Sequence, residues 1–399
     1  MPYYRSAGEV PHKRHTQFPK PEGGLYAEEL MGEQGFSQES SLLYHRHLPT
    51  AIVAAETVPD PRQLEPLMAN DPLLPRHFRT DALPAGGDAV SGRQVIAGNA
   101  DVVISTVAAT APSGLYRNAT GDEIVFVRSG RARLESVFGV LEVDAGDYVV
   151  VAMSTTHRWV PVGGDALQLL VLEAAGHVDF PERYLSHRGQ FLEHSPFCER
   201  DLRSPGEPHL VEAEGERVDV LVRHRGGLTT YRYLHHPFDV VGWTGCLYPF
   251  ALSIHDFEPI TGRLHQPPPV HQVFAGPSFV VCNFVPRLLD YHPGAIPAPY
   301  NHANVDSDEL ILYVEGDFTS RKGSGVGAGS ISLHPAGFVH GPQPGSVEAS
   351  IGKVATEELA VMIDTFHPVG LGPAAAACED PEYAWSWSRG LEAGRGSTF

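Results

Sequence analysis

The chain has 399 residues and a formal net charge of −19 at pH 7, with 42% hydrophobic residues. That length buries a large core and favours two domains or one two-lobed body, while the acidity excludes a phosphate-tracking basic surface and with it nucleic acid as a partner. No apolar run approaches 18 residues and the stretch from Met1 to Arg5 lacks an apolar core, so a cytoplasmic protein without membrane contact is expected.

In chain order, residues 1–90 show little periodicity and are rich in Pro and Gly. They are expected to form an irregular N-terminal region packed on the strand-rich body, with only Leu25–Leu30 helical. From about Gln94 the pattern becomes strand-like, through Ile124–Val127, Ala132–Val137 and Tyr148–Ala152, which places a first module at 91–200. Connecting strands, clearest at Arg217–His224 and Ser278–Val285, occupy 201–290, and a second module spans 291–372. Residues 373–399 read as a loosely packed tail or short helix, with Trp385 and Trp387 anchoring it to the body or to a neighbouring subunit. Cys198, Cys246, Cys282 and Cys378 are widely and irregularly spaced, which predicts buried free thiols and neither a disulfide framework nor a thiolate metal site.

The two modules are one pattern used twice. "YRNATGDEIVFVRSG" (Tyr116–Gly130) and "HANVDSDELILYVEG" (His302–Gly316) align so that Asn118, Asp122, Glu123 and Gly130 match Asn304, Asp308, Glu309 and Gly316, with Tyr116 where the later copy has His302. A second shared element starts at Gly146 in one copy and Gly329 in the other and reaches a histidine at the same distance, His157 and His340; only the later copy has Pro335 and Gly337 within it. Two short-stranded modules of this size predict an all-β protein built from two jelly-roll barrels.

These motifs resemble those of the cupin superfamily, a histidine, glutamate and glycine element followed by a Gly, Pro-x-Gly, His element. The later copy is complete, with His302, Glu309 and His340; the earlier retains Glu123 and His157 but has Tyr116 at the third position. Two neutral imidazoles and one carboxylate leave one face of an ion open, which is the usual cradle of non-haem Fe(II). Catalytic Zn²⁺ uses the same donor types, so both metals stay open on ligand type alone. In the earlier copy Tyr116 is a poor donor, and Glu123 and His157 are expected to hydrogen-bond each other or the barrel wall as a structural remnant.

A narrower resemblance, to the homogentisate 1,2-dioxygenases, is carried by "GGLYAEELMGEQGF" (Gly23–Phe36), "HHPFDVVGWTG" (His235–Gly245), "VHQVFAGPSF" (Val270–Phe279), "FVPR" (Phe284–Arg287), "YNHANVDSDE" (Tyr300–Glu309) and "LHPAGFVHGP" (Leu333–Pro342), in the order of that family. The resemblance implies Fe(II) at His302, Glu309 and His340, and His271 as the acid–base histidine that takes a phenol proton. It also implies His334, Tyr300 and Asn304 as substrate contacts, O₂ as co-substrate, and a trimer or hexamer. The reaction implied is opening of homogentisate to maleylacetoacetate in tyrosine and phenylalanine breakdown. Two departures stand out. "VDSD" adds one residue between the first ligand and the glutamate, and Glu315 stands where the family is expected to have an arginine. A glutamate in the pocket would repel a substrate carboxylate, and Arg321 or Arg287 would have to replace that arginine. The competing readings are a sister dioxygenase for gentisate or another hydroquinone-type acid, a Zn²⁺ or Mn²⁺ cupin isomerase or hydrolase, and a bicupin that only binds or stores.

Overall fold

The computed structural model describes residues 3–60, 62, 65–212 and 215–389. Strands dominate, and the α-helices among the described residues are short, the clearest being Ser346–Ser350 and Pro373–Cys378. The chain divides into two units. One comprises Met1–Pro66, Ala85–Gln94 and Val103–Asp256, the other Leu67–Pro84, Val95–Val102 and Phe257–Phe399. Each carries one cupin module.

In the first unit, Leu202–Arg203, Phe250–Ser253, Asp147–Val151, Glu123–Ser129, Leu167–Ala174 and Val102–Ala109 lie side by side in one sheet. A second runs Gly139–Asp144, Arg131–Ser136, His157–Val162, Leu115–Asn118, Val218–His224, Gly227–Tyr233, Ile52–Val58. Alternate residues point to one face of a strand, so Val125 and Val127, Val149 and Val151, and Leu169 and Val171 meet Leu134, Leu141, Val143 and Trp159 in a dry core. The expectation of a helix at Leu25–Leu30 is overturned: Ala27–Gly32 is an extended strand paired with Ser40–His45 in a small four-stranded sheet. Leu-Met-Glu helix preference is worth a few tenths of a kcal/mol per residue, and a full ladder of cross-strand bonds outweighs it. The His-Pro-Phe-Asp-Val-Val motif serves this sheet. Asp239 accepts hydrogen bonds from the backbone N–H of His47 (2.8 Å) and pairs with His45 Nδ1 (2.6 Å), whose Nε2 meets Glu29 (2.8 Å).

In the second unit, Gln272–Gly276, Phe279–Phe284, Leu359–Thr365, Asp308–Glu315, Ser330–His334 and Arg76–Arg79 form one antiparallel sheet. Ile311, Tyr313, Cys282, Ala360, Met362 and Phe318 pack over it. The cysteines are free thiols among the described residues.

The repeat seen in the sequence is a structural one. In both units the glutamate-bearing strand is central: Glu123 lies across from Val151 and Glu173, Glu309 across from His334 and Asp364. The matched aspartates do one job twice. Asp122 accepts the N–H groups of Met153 and Val178, and Asp308 those of Ala336 and Val369, at 2.7 to 2.9 Å. Each buried carboxylate ties two loops to the strand that carries the glutamate. Gly130 and Gly316 end these strands with φ of +89° and +109°; a Cβ at Gly316 would lie 2.4 Å from the Glu357 carbonyl oxygen, so only glycine fits the turn.

Candidate metal centre

Strand Asp308–Glu315 delivers Glu309 into a cavity of about 430 Å³ in the second unit, a volume suited to a single aromatic ring with a substituent. A backbone bridge brings the two histidines together, His302 and His340 exchanging both N–H···O bonds at 2.7 and 2.8 Å, and His302 lines the cavity. Gly341 comes directly after the second histidine: a Cβ there would meet Asn301 at 2.5 Å, so glycine lets the two segments approach. The donor atoms of His302, Glu309 and His340 lie within 4.8 Å of one another, with His340 Nε2 at 3.3 Å and His302 Nε2 at 3.7 Å from the Glu309 carboxylate.

The donor set fits a divalent ion. His340 Nδ1 donates to the Phe338 carbonyl (3.2 Å), which leaves the lone pair of Nε2 buried, unpartnered and turned toward a carboxylate oxygen. Two lone pairs facing each other call for a cation between them. Burial would raise the Glu309 carboxyl, but the ring nitrogens of His302, His334 and His340 gathered around it outweigh that and hold it well below the usual carboxylate range. Opposite it, Asp364 is pushed up to about 7, by burial first and the Glu309 charge second, and accepts a hydrogen bond from Asn304 (3.2 Å).

Of the remaining expected site residues, His271, Tyr300 and Asn304 line the same cavity. His271 is buried with Nδ1 unpartnered; its pKa is pushed down to about 3 by burial and then by the charge of Arg287, so the imidazole is neutral. Tyr300 bonds His265 Nε2 through its hydroxyl (3.2 Å). His334 is placed differently from the substrate contact expected of it. It does not line the cavity but lies fully buried behind Glu309, its Nδ1 at 2.7 Å from that carboxylate, because its strand position is directly across from Glu309. Glu315 is exposed and outside the cavity lining, so its charge does not meet a bound ligand.

Four residues of the two modules were not singled out from the sequence: Asp364, Glu173, Tyr383 and Arg93. Asp364 and Glu173 each end an apolar strand as its lone carboxylate, a signal present in both copies. Tyr383, in the segment read as a loosely packed tail or short helix, bonds His334 Nε2 at 2.8 Å, and Trp387 Nε1 donates to the Gly341 carbonyl. Arg93 marks the equivalent place in the first unit. Tyr116 pairs with His157 across the same bridge position as His302 with His340. Between them, the buried Arg93 guanidinium makes two bonds to Glu123 (2.9 and 2.8 Å) and reaches Glu173 at 3.1 Å. Glu123 also accepts from Asn118, while His157 Nδ1 donates to the Thr155 carbonyl, part of the barrel wall. A protein cation stands where the second unit presents its ligands.

The depressed His271 pKa has a measurable consequence. Between its ordinary value near 6.5 and about 3, the unfolded chain binds a proton that the fold does not, so this contribution to stability is lost as pH falls through that window. Metal-free wild type is therefore expected to lose stability relative to His271→Gln between pH 7 and pH 4, at up to about 1.4 kcal/mol per pH unit. Parallel denaturant titrations at several pH values check it; parallel curves would refute it.

Fold and site together define a two-module cupin protein with one complete two-histidine, one-glutamate set. The family described as "Homogentisate 1,2-dioxygenase N-terminal" matches residues 5–254. A protein of Saccharolobus solfataricus named "Putative dioxygenase SSO1533" is 39% identical over 398 residues, covering 97% of this chain and 99% of that one. A homogentisate 1,2-dioxygenase of Rhodopseudomonas palustris strain BisA53 is 26% identical, covering 92% and 87%. That of strain BisB5 is 27% identical over 292 residues, 69% of this chain and 63% of the relative. Among solved structures, a cupin 2 conserved barrel domain protein from Leptotrichia buccalis aligns with 73% of this chain and 95% of its own at 11% identity and TM-score 0.30, too distant to inform the site. The chain belongs to the homogentisate 1,2-dioxygenase family, and it is an enzyme of the dioxygenase class. No helix among the described residues is long and apolar enough to cross a membrane.

Proposed function

We propose that the protein is an Fe(II)-dependent ring-cleaving dioxygenase for a dihydroxybenzene that carries a carboxylate, with homogentisate the first candidate and gentisate the second. The observation that carries this reading is one cavity lined by His302 and Glu309 of the triad, by the neutral His271, and by an arginine with no ion-pair partner among the described residues. That arginine is Arg287, whose one hydrogen bond is a long 3.5 Å contact to the Val285 carbonyl. The other cations of the lining are engaged. Arg321 donates to Tyr313 Oη and the Gly341 carbonyl, and Lys353 pairs with Asp317 at 2.9 Å.

His302, Glu309 and His340 would hold the ferrous ion, which would supply the oxygen chemistry. The chain's own residues orient the substrate. Arg287 takes the carboxylate in a charge-assisted, two-pronged bond, which anchors that end of the substrate. The His271 ring, which lines the cavity, accepts the hydrogen bond of a ring hydroxyl. Burial is the first cause of its low basicity and Arg287 the second; a carboxylate arriving at Arg287 offsets that charge, so His271 becomes a better proton acceptor once substrate is seated. The apolar walls, including Phe284, Ile311 and Met362, exclude water from the ring.

The test is O₂ uptake by Fe(II)-loaded protein offered homogentisate, gentisate and unsubstituted hydroquinone. Uptake on none of them would refute the reading. Arg287→Met is expected to raise KM for the carboxylated substrate about 10–100-fold, as loss of a charged hydrogen bond worth roughly 1.5–3 kcal/mol requires, while leaving KM for hydroquinone unchanged. An equal effect on both substrates would remove Arg287 from this role.

A further inference from the structure

The C-terminal segment after Pro373 contributes to the metal centre without lining its cavity. Tyr383 Oη lies 2.8 Å from His334 Nε2, and His334 Nδ1 lies 2.7 Å from Glu309 Oε1. The proton positions are set by the end groups. An ionised carboxylate only accepts, so His334 donates from Nδ1, its Nε2 is left with a lone pair, and Tyr383 donates its hydroxyl proton to it. All three side chains are buried, so none of these bonds is exchanged for water without cost. The His334 ring also stacks on the second histidine ligand, His340, with centroids 4.1 Å apart at 17°. Trp387 holds the backbone next to that ligand by donating to the Gly341 carbonyl at 3.1 Å, and Ser386 Oγ accepts from Gln343 at 2.9 Å. The matching position in the other module is apolar. Val151 stands across from Glu123 where His334 stands across from Glu309. The buried polar pair thus accompanies the complete ligand set and not the copy held by Arg93.

We infer that Tyr383 is a positioning residue that sets metal affinity at His302, Glu309 and His340 by fixing His334, and through it the orientation of Glu309. The inference rests on the metal-centre reading above. It assigns the C-terminal segment a part in holding the ion, which a surface anchor would not have. Outer partners of metal ligands are worth about 10–100-fold in affinity when removed.

The experiment compares full-length wild type, Tyr383→Phe, His334→Gln and the double variant for anaerobic Fe(II) and Co(II) binding by chelator competition, with melting of the metal-free proteins alongside. Tyr383→Phe keeps the ring and removes the donor. It is expected to weaken binding about 10–100-fold while the metal-free protein still melts cooperatively. In His334→Gln the side-chain amide donates to Glu309 without help from Tyr383, so adding Tyr383→Phe to it should change affinity no further. Melting of each metal-free variant separates a folding failure from a loss of affinity. Trp385→Phe, altering an exposed ring of the same segment, should bind as wild type does. Wild-type affinity in Tyr383→Phe, or multiplying effects in the double variant, would overturn the inference alone. Wild type that takes up neither metal would overturn the metal-centre reading and the inference with it.

Discussion

Arg93→Met is expected to destabilise the protein by about 3–5 kcal/mol, the cost of removing one partner from a buried ion pair and leaving the other uncompensated. Arg93 and Glu123 are both buried, and Asn118 is the other side chain donating to the glutamate. Glu173 fares better, because Arg62 and Arg223 remain beside it. The penalty therefore falls on Glu123, which the present arrangement holds ionised against its own burial through Arg93. Methionine fills similar volume, so packing changes little and the measured loss reports charge. Denaturant unfolding at pH 7 checks it. Restoring neutrality with Glu123→Gln in the same chain should recover more than half of the loss, since an amide is far cheaper to bury than a lone carboxylate. A loss under about 1 kcal/mol, the range of ordinary surface changes, would mean that Arg93 is not the cation that holds this module.

Glu309→Gln is the counterpart in the second unit, with the opposite balance of effects. The amide keeps the shape of the side chain and its carbonyl still accepts from His334 Nδ1, so a stability change within about 1 kcal/mol is expected. The negative charge that turns two imidazoles into a cation site is gone. Loss of a direct ligand exceeds the 10–100-fold that an outer partner commands, so O₂ uptake should fall to roughly a thousandth of wild type or less, with metal content in step. Iron analysis of the purified variant and an oxygen electrode check both. Activity within about tenfold of wild type would take Glu309 out of the ligand set. The two substitutions read the same strand position, Glu123 and Glu309, as a structural charge in one module and a ligand in the other.

The Leu-Met-Glu stretch near Leu30 shows one limit of reading residues in order. Its local preference is helical, yet a ladder to Ser40–His45 decides its conformation, and that ladder is a long-range fact. Glu315 shows another. Its place in the motif suggested a charge inside the pocket, but the strand ends in a turn at Gly316 and the side chain faces solvent. His334 was legible as a site residue and not in its role, since the pairing register alone places it behind the glutamate instead of over a substrate.

The sequence by itself determined the repeated all-β modules, the family, and which copy has three ligand-type residues, because motif residues such as Asp308, Glu309 and Gly316 are needed at fixed spacing along one strand and its turns. Only the tertiary structure decided what completes each site. Arg93, Asp364 and Tyr383 come from separate segments, each reaching its partner across strands or loops, and Arg287 lines the cavity from yet another. No spacing rule links Tyr383 to Glu309. The packing of buried charge and hydrogen-bond donors does, because each buried carboxylate must find a cation or a proton donor wherever the chain brings one near.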